Sequence, residues 1–264
     1  TSTKKKDNML STTNVTATSA RPSTGALADG AATLNGAGAG RGSPYCFVWN
    51  ATARDATALS GGNISPKYIE SARTATTCYM VGLKERILVQ SSTDIPWQWR
   101  RICVTAKGAD AFLKTTPSTV SGNNVWQEDS KGYRRLLVEL TAVAQGNLNS
   151  LLFDGQQDTD WNDPFSAKVD RQRFTIKYDR TVMLESNSSD GILRYYNMWH
   201  PMRKNVCYND DEAGAGMSSA YVSASGKQGM GDYIVIDFIR CKDGAATSDQ
   251  LIFQPEATLY WHEK

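Results

Sequence analysis

The run Tyr233-Ile-Val-Ile-Asp-Phe-Ile239 limits this chain more than any other stretch. It is short, β-branched and aromatic, and turn residues bound it, which describes a buried strand rather than a helix. Gly229-Met230-Gly231-Asp232 launches it, after a Gly/Ser/Ala-rich loop that begins at Asn209-Asp210-Asp211-Glu212. The glycines from Gly226 to Gly231 resemble a phosphate-cradling loop, but that device needs a helix N-terminus behind it. A strand follows instead, so a nucleotide-binding loop of that kind is excluded.

Other segments share this character. Tyr45-Cys46-Phe47-Val48-Trp49 is a strand after Pro44. Thr74 to Gln90 is β-rich, with a possible break at Gly82–Glu85, and Trp97 to Thr105 forms a strand after Pro96. Tyr133 to Val143 alternates, with Leu136, Val138 and Leu140 on one face. Arg171 to Tyr178 sets Arg171, Arg173, Thr175 and Lys177 against Phe174, Ile176 and Tyr178, the pattern of a half-buried strand with a basic outer face. Asp190-Gly191 reads as a hairpin turn into Ile192–Trp199. Tyr233–Arg240 and Ala257–Glu263 complete the set, and Gly108 to Lys114 suggests a short helical turn. No internal repeat and no convincing amphipathic helix occur. The expected fold is all-β, a single jelly-roll sandwich of about eight strands in two sheets with long loops. Residues 1–43 carry few large apolar side chains, so they form an arm, extended or ordered only by a partner. Residues 44–264 form the jelly-roll domain.

Composition excludes several functions. The chain has 264 residues, 21% of them charged, with a formal charge of only +2. No run of about 18 apolar residues is present to form a membrane-spanning helix. Five cysteines, an odd number without C-x-x-C spacing, argue against a zinc site or a disulfide framework and for a reducing compartment. Only His200 and His262 could serve a catalytic triad, and no G-x-S-x-G elbow exists. No catalytic residue, metal ligand or cofactor is therefore assigned. Asp158-Thr159-Asp160-Trp161-Asn162-Asp163 could hold calcium, but lacks the EF-hand glycine and terminal Glu, so a polar loop anchored by Trp161 is the plainer reading. Asp210, Asp211 and Glu212 could form a metal site, a glycosidase pair or salt bridges to a neighbouring subunit. The last is favoured, and Trp161, Trp199, His200, Met230 and Asp232 join it as expected subunit contacts.

Basic residues come in pairs and stripes beside aromatic ones: Trp97-Gln98-Trp99-Arg100-Arg101, Arg134-Arg135, the Arg171/Arg173/Lys177 face, and Arg203-Lys204. Together with Lys4, Lys5 and Lys6 they suit single-stranded nucleic acid, held through phosphate contacts and base stacking. Trp97, Trp99, Arg100, Arg101, Arg171, Arg173 and Lys177 are the expected contacts within the folded domain.

Seven motifs, in order along nearly the whole chain, carry a resemblance. They are Arg73-Thr-Ala-Thr-Thr-Cys-Tyr-Met80 followed by Gly82-Leu-Lys-Glu85; Pro96-Trp-Gln-Trp-Arg-Arg101; Tyr178-Asp-Arg-Thr181; Trp199-His-Pro-Met202; Tyr208-Asn-Asp-Asp-Glu212; Gly229-Met-Gly-Asp232; and Thr258-Leu-Tyr-Trp-His-Glu-Lys264. On these the sequence resembles the genomovirus capsid proteins of small circular single-stranded DNA viruses, distant relatives of geminivirus coat proteins. The resemblance implies a jelly-roll subunit that self-assembles into a T=1 icosahedral shell of about 60 copies around circular single-stranded DNA. It implies a virion location, host-nuclear assembly, and a basic N-terminal arm read by the nuclear import machinery. Only Lys4–Lys6 stand for that arm, so a basic segment before Thr1 is expected. Two rivals stay open: a carbohydrate-binding or hydrolytic jelly roll using Asp210, Asp211 or Glu212, and a sequence-specific single-stranded DNA-binding protein.

Overall fold

The computed structural model describes residues 2–16, 26–57, 65–108, 125–214, 216–226 and 228–264. In chain order the elements are β1 (Thr3–Met9), β2 (Ser11–Thr13), β3 (Ala28–Asp29), β4 (Ala32–Asn35), β5 (Tyr45–Asn50), β6 (Thr77–Ser91), β7 (Trp97–Ala106), β8 (Glu128–Asp129), β9 (Gly132–Tyr133), β10 (Arg135–Leu137), α1 (Ala142–Leu152), β11 (Thr175–Leu184), β12 (Leu193–Cys207), β13 (Asp211–Ala213), β14 (Gly216–Ser218), β15 (Asp232–Cys241) and β16 (Gln250–Glu263). The protein is nearly all β. Two antiparallel sheets dominate: β1-β16-β6-β12, with β4 also on β16, and β11-β7-β15-β5.

The sheets pack face to face through alternate residues. Met80, Leu83, Leu259 and Trp261 of the first meet Trp49, Cys103, Tyr233 and Val235 of the second. Farther along, Ile87, Val89, Leu251 and Phe253 meet Tyr45, Phe47, Trp97, Trp99 and Ile239. The second sheet has another apolar face. Cys46, Val48, Ile102, Val104, Ile234, Ile236 and Phe238 lie beneath α1 and the following loop, against Ala144, Leu148, Leu152, Phe153 and Val169. β15 is thus covered on both sides, the physical reason its sequence is a continuous apolar run rather than an alternation. The first sheet has no such cover among the described residues.

Several expectations are corrected here. The segment expected to be an arm is part of the fold: β1 pairs with β16 from Thr3↔Glu263 to Met9↔Ala257. Its alternation turns Lys5, Asp7 and Met9 inward, and partners inside the chain order it. Lys5 Nζ donates to the carbonyls of Lys67 (2.7 Å) and Ile69 (2.6 Å), and Asp7 pairs with Arg54 at 3.0 Å. Gly82 does not break β6. Asp190-Gly191 is not a hairpin turn, because β11 and β12 lie in different sheets. The suggested helical turn at Gly108–Lys114 falls, beyond Gly108, outside the described residues.

Only Arg135–Leu137 of the alternating Tyr133–Val143 segment is a strand longer than two residues, and a helix follows. Thr141 caps α1, its hydroxyl accepting from Ala144 N at 3.2 Å. Ala144, Leu148 and Leu152 then repeat at four-residue spacing to form its buried stripe. A bulge between Ile176 and Tyr178 breaks the alternation of β11. Phe174 and Ile176 face the helix side, whereas Tyr178 packs between the sheets.

Candidate nucleic-acid interface

The Trp97-Gln-Trp-Arg-Arg101 motif lies in β7, in the middle of the sandwich. Trp97 and Trp99 are fully buried in the inter-sheet core. Arg101, 1% exposed, donates to both oxygens of Asp237 (2.7 and 2.9 Å) and to Glu85 Oε2 (2.5 Å). Arg135 answers the same two carboxylates, reaching Glu85 Oε1 at 3.1 Å and Asp237 Oδ2 at 3.0 Å. Trp99 Nε1 donates to Asp237 Oδ1 at 2.7 Å, and the Arg135 guanidinium stacks 4.4 Å over Trp49. Two cations and two anions thus cancel in a dry site. Burial pushes the Glu85 carboxyl up, but the Arg101 and Arg135 guanidiniums outweigh it and hold the group well below the usual carboxylate range. His200, also buried, stands edge-on to Tyr178 with Nε2 3.4 Å from Glu85.

These positions correct the expected DNA contacts at Trp97, Trp99 and Arg101, because groups sealed between two sheets reach no phosphate. Arg100 is 5% exposed and committed to Asp179 and to the carbonyls of Pro164 and Ala167. Lys5 is spent on two carbonyls. Arg173 pairs with Asp170 at 3.0 Å and donates to the carbonyls of Ser150 and Leu151 at the end of α1, a cation where the helix dipole favours one. Arg171 and Lys177 are exposed. Lys4 and Lys6 point outward from β1, with Glu70 3.6 Å from Lys6.

The expected subunit contacts divide in the same way. Asp210 forms a bidentate pair with Arg73 (2.6 and 2.9 Å) and accepts from Ala220 N at 2.9 Å. Burial raises its carboxyl, but the hydrogen bonds from Arg73 and Ala220 N and the Arg73 charge together hold it below the ordinary carboxylate value. Asp232 is fully buried, accepting from Asn50 Nδ2 at 3.0 Å and from Ser223 N at 2.9 Å, and so fastens the long loop to β5. Met230 and His200 are buried as well. These four serve the subunit's own fold, since their polar atoms and apolar surfaces are already covered. Asp211, Glu212 and Trp199 are exposed, and Trp161 is half-buried against Phe153. Asp211 and Glu212 are successive residues of β13, so their side chains leave opposite faces and do not form a glycosidase-like pair. In the 158–163 loop, Asp160 accepts from Gln156 N (2.7 Å), and Asp163 from Phe165 N (2.9 Å) and Arg240 (2.8 Å). Those carboxylates hold the loop itself.

Nearly every buried arginine is matched by acid: Arg54 by Asp7, Arg73 by Asp210, Arg100 by Asp179, Arg134 by Asp29 and Asp129, Arg101 and Arg135 by Glu85 and Asp237. The small net charge therefore conceals an uneven surface. Of the four acidic residues in the strands of the first sheet, Asp7, Glu85 and Glu263 point inward, and Glu256 alone points out. Outward from the same strands project Lys4, Lys6, Lys84 and Arg86, while Arg203 and Lys204 are exposed at a bulge of β12 and Lys264 directly follows β16.

Aromatic rings are set among these cations. Trp199 is 49% exposed, Tyr195 53% and Tyr79 41%. The Trp199 ring lies 6.0 Å from Tyr260, Tyr79 lies 6.2 Å from His262, and Arg86 stacks 4.3 Å over Tyr195. Gly82 makes the platform possible: a Cβ there would stand 2.6 Å from Trp199 Cζ2, so only glycine lets the indole lie over the sheet. At one end the face dips into a cleft of about 780 Å³ beside Tyr79 and Lys204. Of this surface, sequence reasoning found Lys4, Lys6, Arg203-Lys204 and Trp199, the last as a protein contact. Lys84, Arg86, Tyr79, Tyr195 and Tyr260 were missed. The outward phase of the β6 and β16 alternation was the available signal. No protein-family model and no curated protein matches this chain.

Proposed function

We propose that this chain is a structural capsid subunit of the genomovirus kind, a jelly roll that self-assembles into a T=1 virion shell and packages circular single-stranded DNA. The observation that carries the reading is the open outer face of the β1-β16-β6-β12 sheet. Lysine and arginine meet phosphates there, and Trp199, Tyr79, Tyr195 and Tyr260 offer stacking surfaces, a combination suited to a strand bound without regard to sequence. The strand order β5-β15-β7-β11, with the chain crossing between sheets at β5–β6, β6–β7, β11–β12, β12–β15 and β15–β16, supports a jelly-roll winding. Asp211, Glu212 and the free edge of the long strand β12 (free among the described residues) supply surface for contacts between copies.

The test is size fractionation of the expressed protein, electron microscopy of the heavy fraction, and nuclease digestion of its contents. Uniform closed shells with protected single-stranded DNA are the expected result. A monomer that takes up no DNA at low salt overturns the reading.

A further inference from the structure

We infer that the cleft at the end of the exposed sheet is a seat for one nucleotide of the bound strand, with the base on Tyr79 and His262 and its phosphate between Arg203, Lys204 and Lys264. This deepens the DNA-packaging reading and rests on it.

Four observations converge. The cleft, about 780 Å³, lies within the roughly 300–1,000 Å³ typical of small-ligand sites, ample for a nucleoside phosphate. Its lining has three basic side chains, those of Arg203, Lys204 and Lys264, and no Asp or Glu. Among the described residues none of the three is joined in an ion pair, whereas the arginines inside the sandwich are neutralised. Tyr79 and His262 form one wall, with ring centroids 6.2 Å apart and planes inclined by 37°, an open aromatic corner against which a base can stack.

The fourth observation is the backbone of β12. A bulge falls between Pro201 and Lys204, and Arg203 has φ +49°, the left-handed region that non-glycine residues rarely adopt. Without the bulge, strict alternation would send Arg203 and Lys204 to opposite faces. With it, both side chains are exposed and both line the cleft. Strained backbone that brings two cations to one site is a cost the fold bears where binding repays it. The chemistry specified is any base plus a phosphodiester. Ser2, Thr77 and Asn205 complete the lining and can hydrogen-bond the sugar or a base edge.

The test is fluorescence-anisotropy titration of the full chain with labelled (dT)10 across a salt series. Tyr79→Ala should weaken binding about tenfold without changing the salt slope, and Tyr79→Phe should restore it. Arg203→Ala with Lys204→Ala should lower the slope of log K against log salt by about 1.4, two phosphate contacts at about 0.7 each. Lys264→Ala, outside any strand, should lower it by about 0.7 with folding unchanged. If these variants bind as the parent does while Lys84→Ala with Arg86→Ala weakens binding, the cleft is not a nucleotide seat and the sheet-face reading stands. If the parent does not bind (dT)10 at low salt, both fall together.

Discussion

The same residue types do opposite work in two places. In β7, Trp99 and Arg101 are sealed between the sheets, and the guanidinium is bound by Glu85 and Asp237. On the outer face of β6 and β12, Trp199 and Arg86 stand in solvent with no carboxylate joined to them among the described ion pairs. Trp99 and Arg101 are near neighbours in the sequence, whereas Trp199 and Arg86 are brought together only by the register of β12 on β6. What separates them is the origin of the opposing charge. Glu85 lies 16 positions from Arg101 and Asp237 lies 136 away, so neutralisation is a property of the fold. A basic-aromatic motif becomes a binding surface only when the sheet leaves its cations unanswered.

The contrast is sharpest when one partner is deleted. Arg101→Ala would leave Glu85 and Asp237 short of a counter-ion in a dry site, and breaking a buried pair costs about 3–5 kcal/mol. Urea unfolding should show that loss, or the variant should fail to accumulate as folded protein. A fully stable Arg101→Ala would erase the distinction between the two regions.

Acid probes the inside without a mutation. Glu85 and Asp210 have folded values below the ordinary 4.5 and 3.8. Their stabilisation is therefore complete above those ordinary values and is lost as pH falls through the lowered ones. Asp7 runs the other way: burial raises it more than Arg54 lowers it, so its ionisation opposes folding near neutral pH. The net expectation is a midpoint of denaturation that is flat from pH 7 to about 5 and drops steeply below about 4. A drop already complete at pH 6 would show that the buried carboxylates are not held down by their arginines.

Gly82→Ala tests the outside. Its methyl would meet the Trp199 indole, and overpacking of this kind costs about 1–3 kcal/mol unless the ring swings away. A blue-to-red change in tryptophan emission with weaker DNA binding would tie the platform to function. An unchanged spectrum and affinity would show that the indole's position is incidental.

The smallest structural effect should come from Lys84→Ala with Arg86→Ala. Stability should stay within about 0.5 kcal/mol, while the salt slope for single-stranded DNA falls by about 0.7 per lost contact. Large destabilisation by this pair would put these cations in the same class as Arg101.

The strands most legible in the sequence are those whose burial follows from local chemistry. Tyr45–Asn50 is an apolar and aromatic run after Pro44, and Trp97–Ala106 is rich in aromatic and β-branched residues after Pro96; each strand is found one residue longer than expected. β15 is legible because both its faces are covered. α1 is not, since its stripe consists of one alanine and two leucines in a segment whose beginning also satisfies a two-residue alternation. β1 is hidden for another reason: Thr-Lys-Lys-Lys-Asp-Asn-Met has no apolar pattern until Arg54, Lys67 and Ile69 supply partners for Lys5 and Asp7. The candidate site was half legible. Lys4, Lys6 and Arg203-Lys204 stand out as charge, but their assembly with Tyr79, Lys84 and Arg86 depends on the register of β12, β6, β16 and β1.

That register carries a consequence for how the molecule is made. β16 sits between β1 and β6, so a strand late in translation order occupies the middle of its sheet. Asn8 and Thr258, hydrogen-bonded across β1 and β16, are 250 positions apart. Among the described elements β1 has β16 as its ladder partner, so it cannot pair until that distant strand is available. Closure of the sheet is then a late, long-range event, slow by the rule that distant pairings fold last. The exposed cationic face is itself complete only when that strand has slotted in.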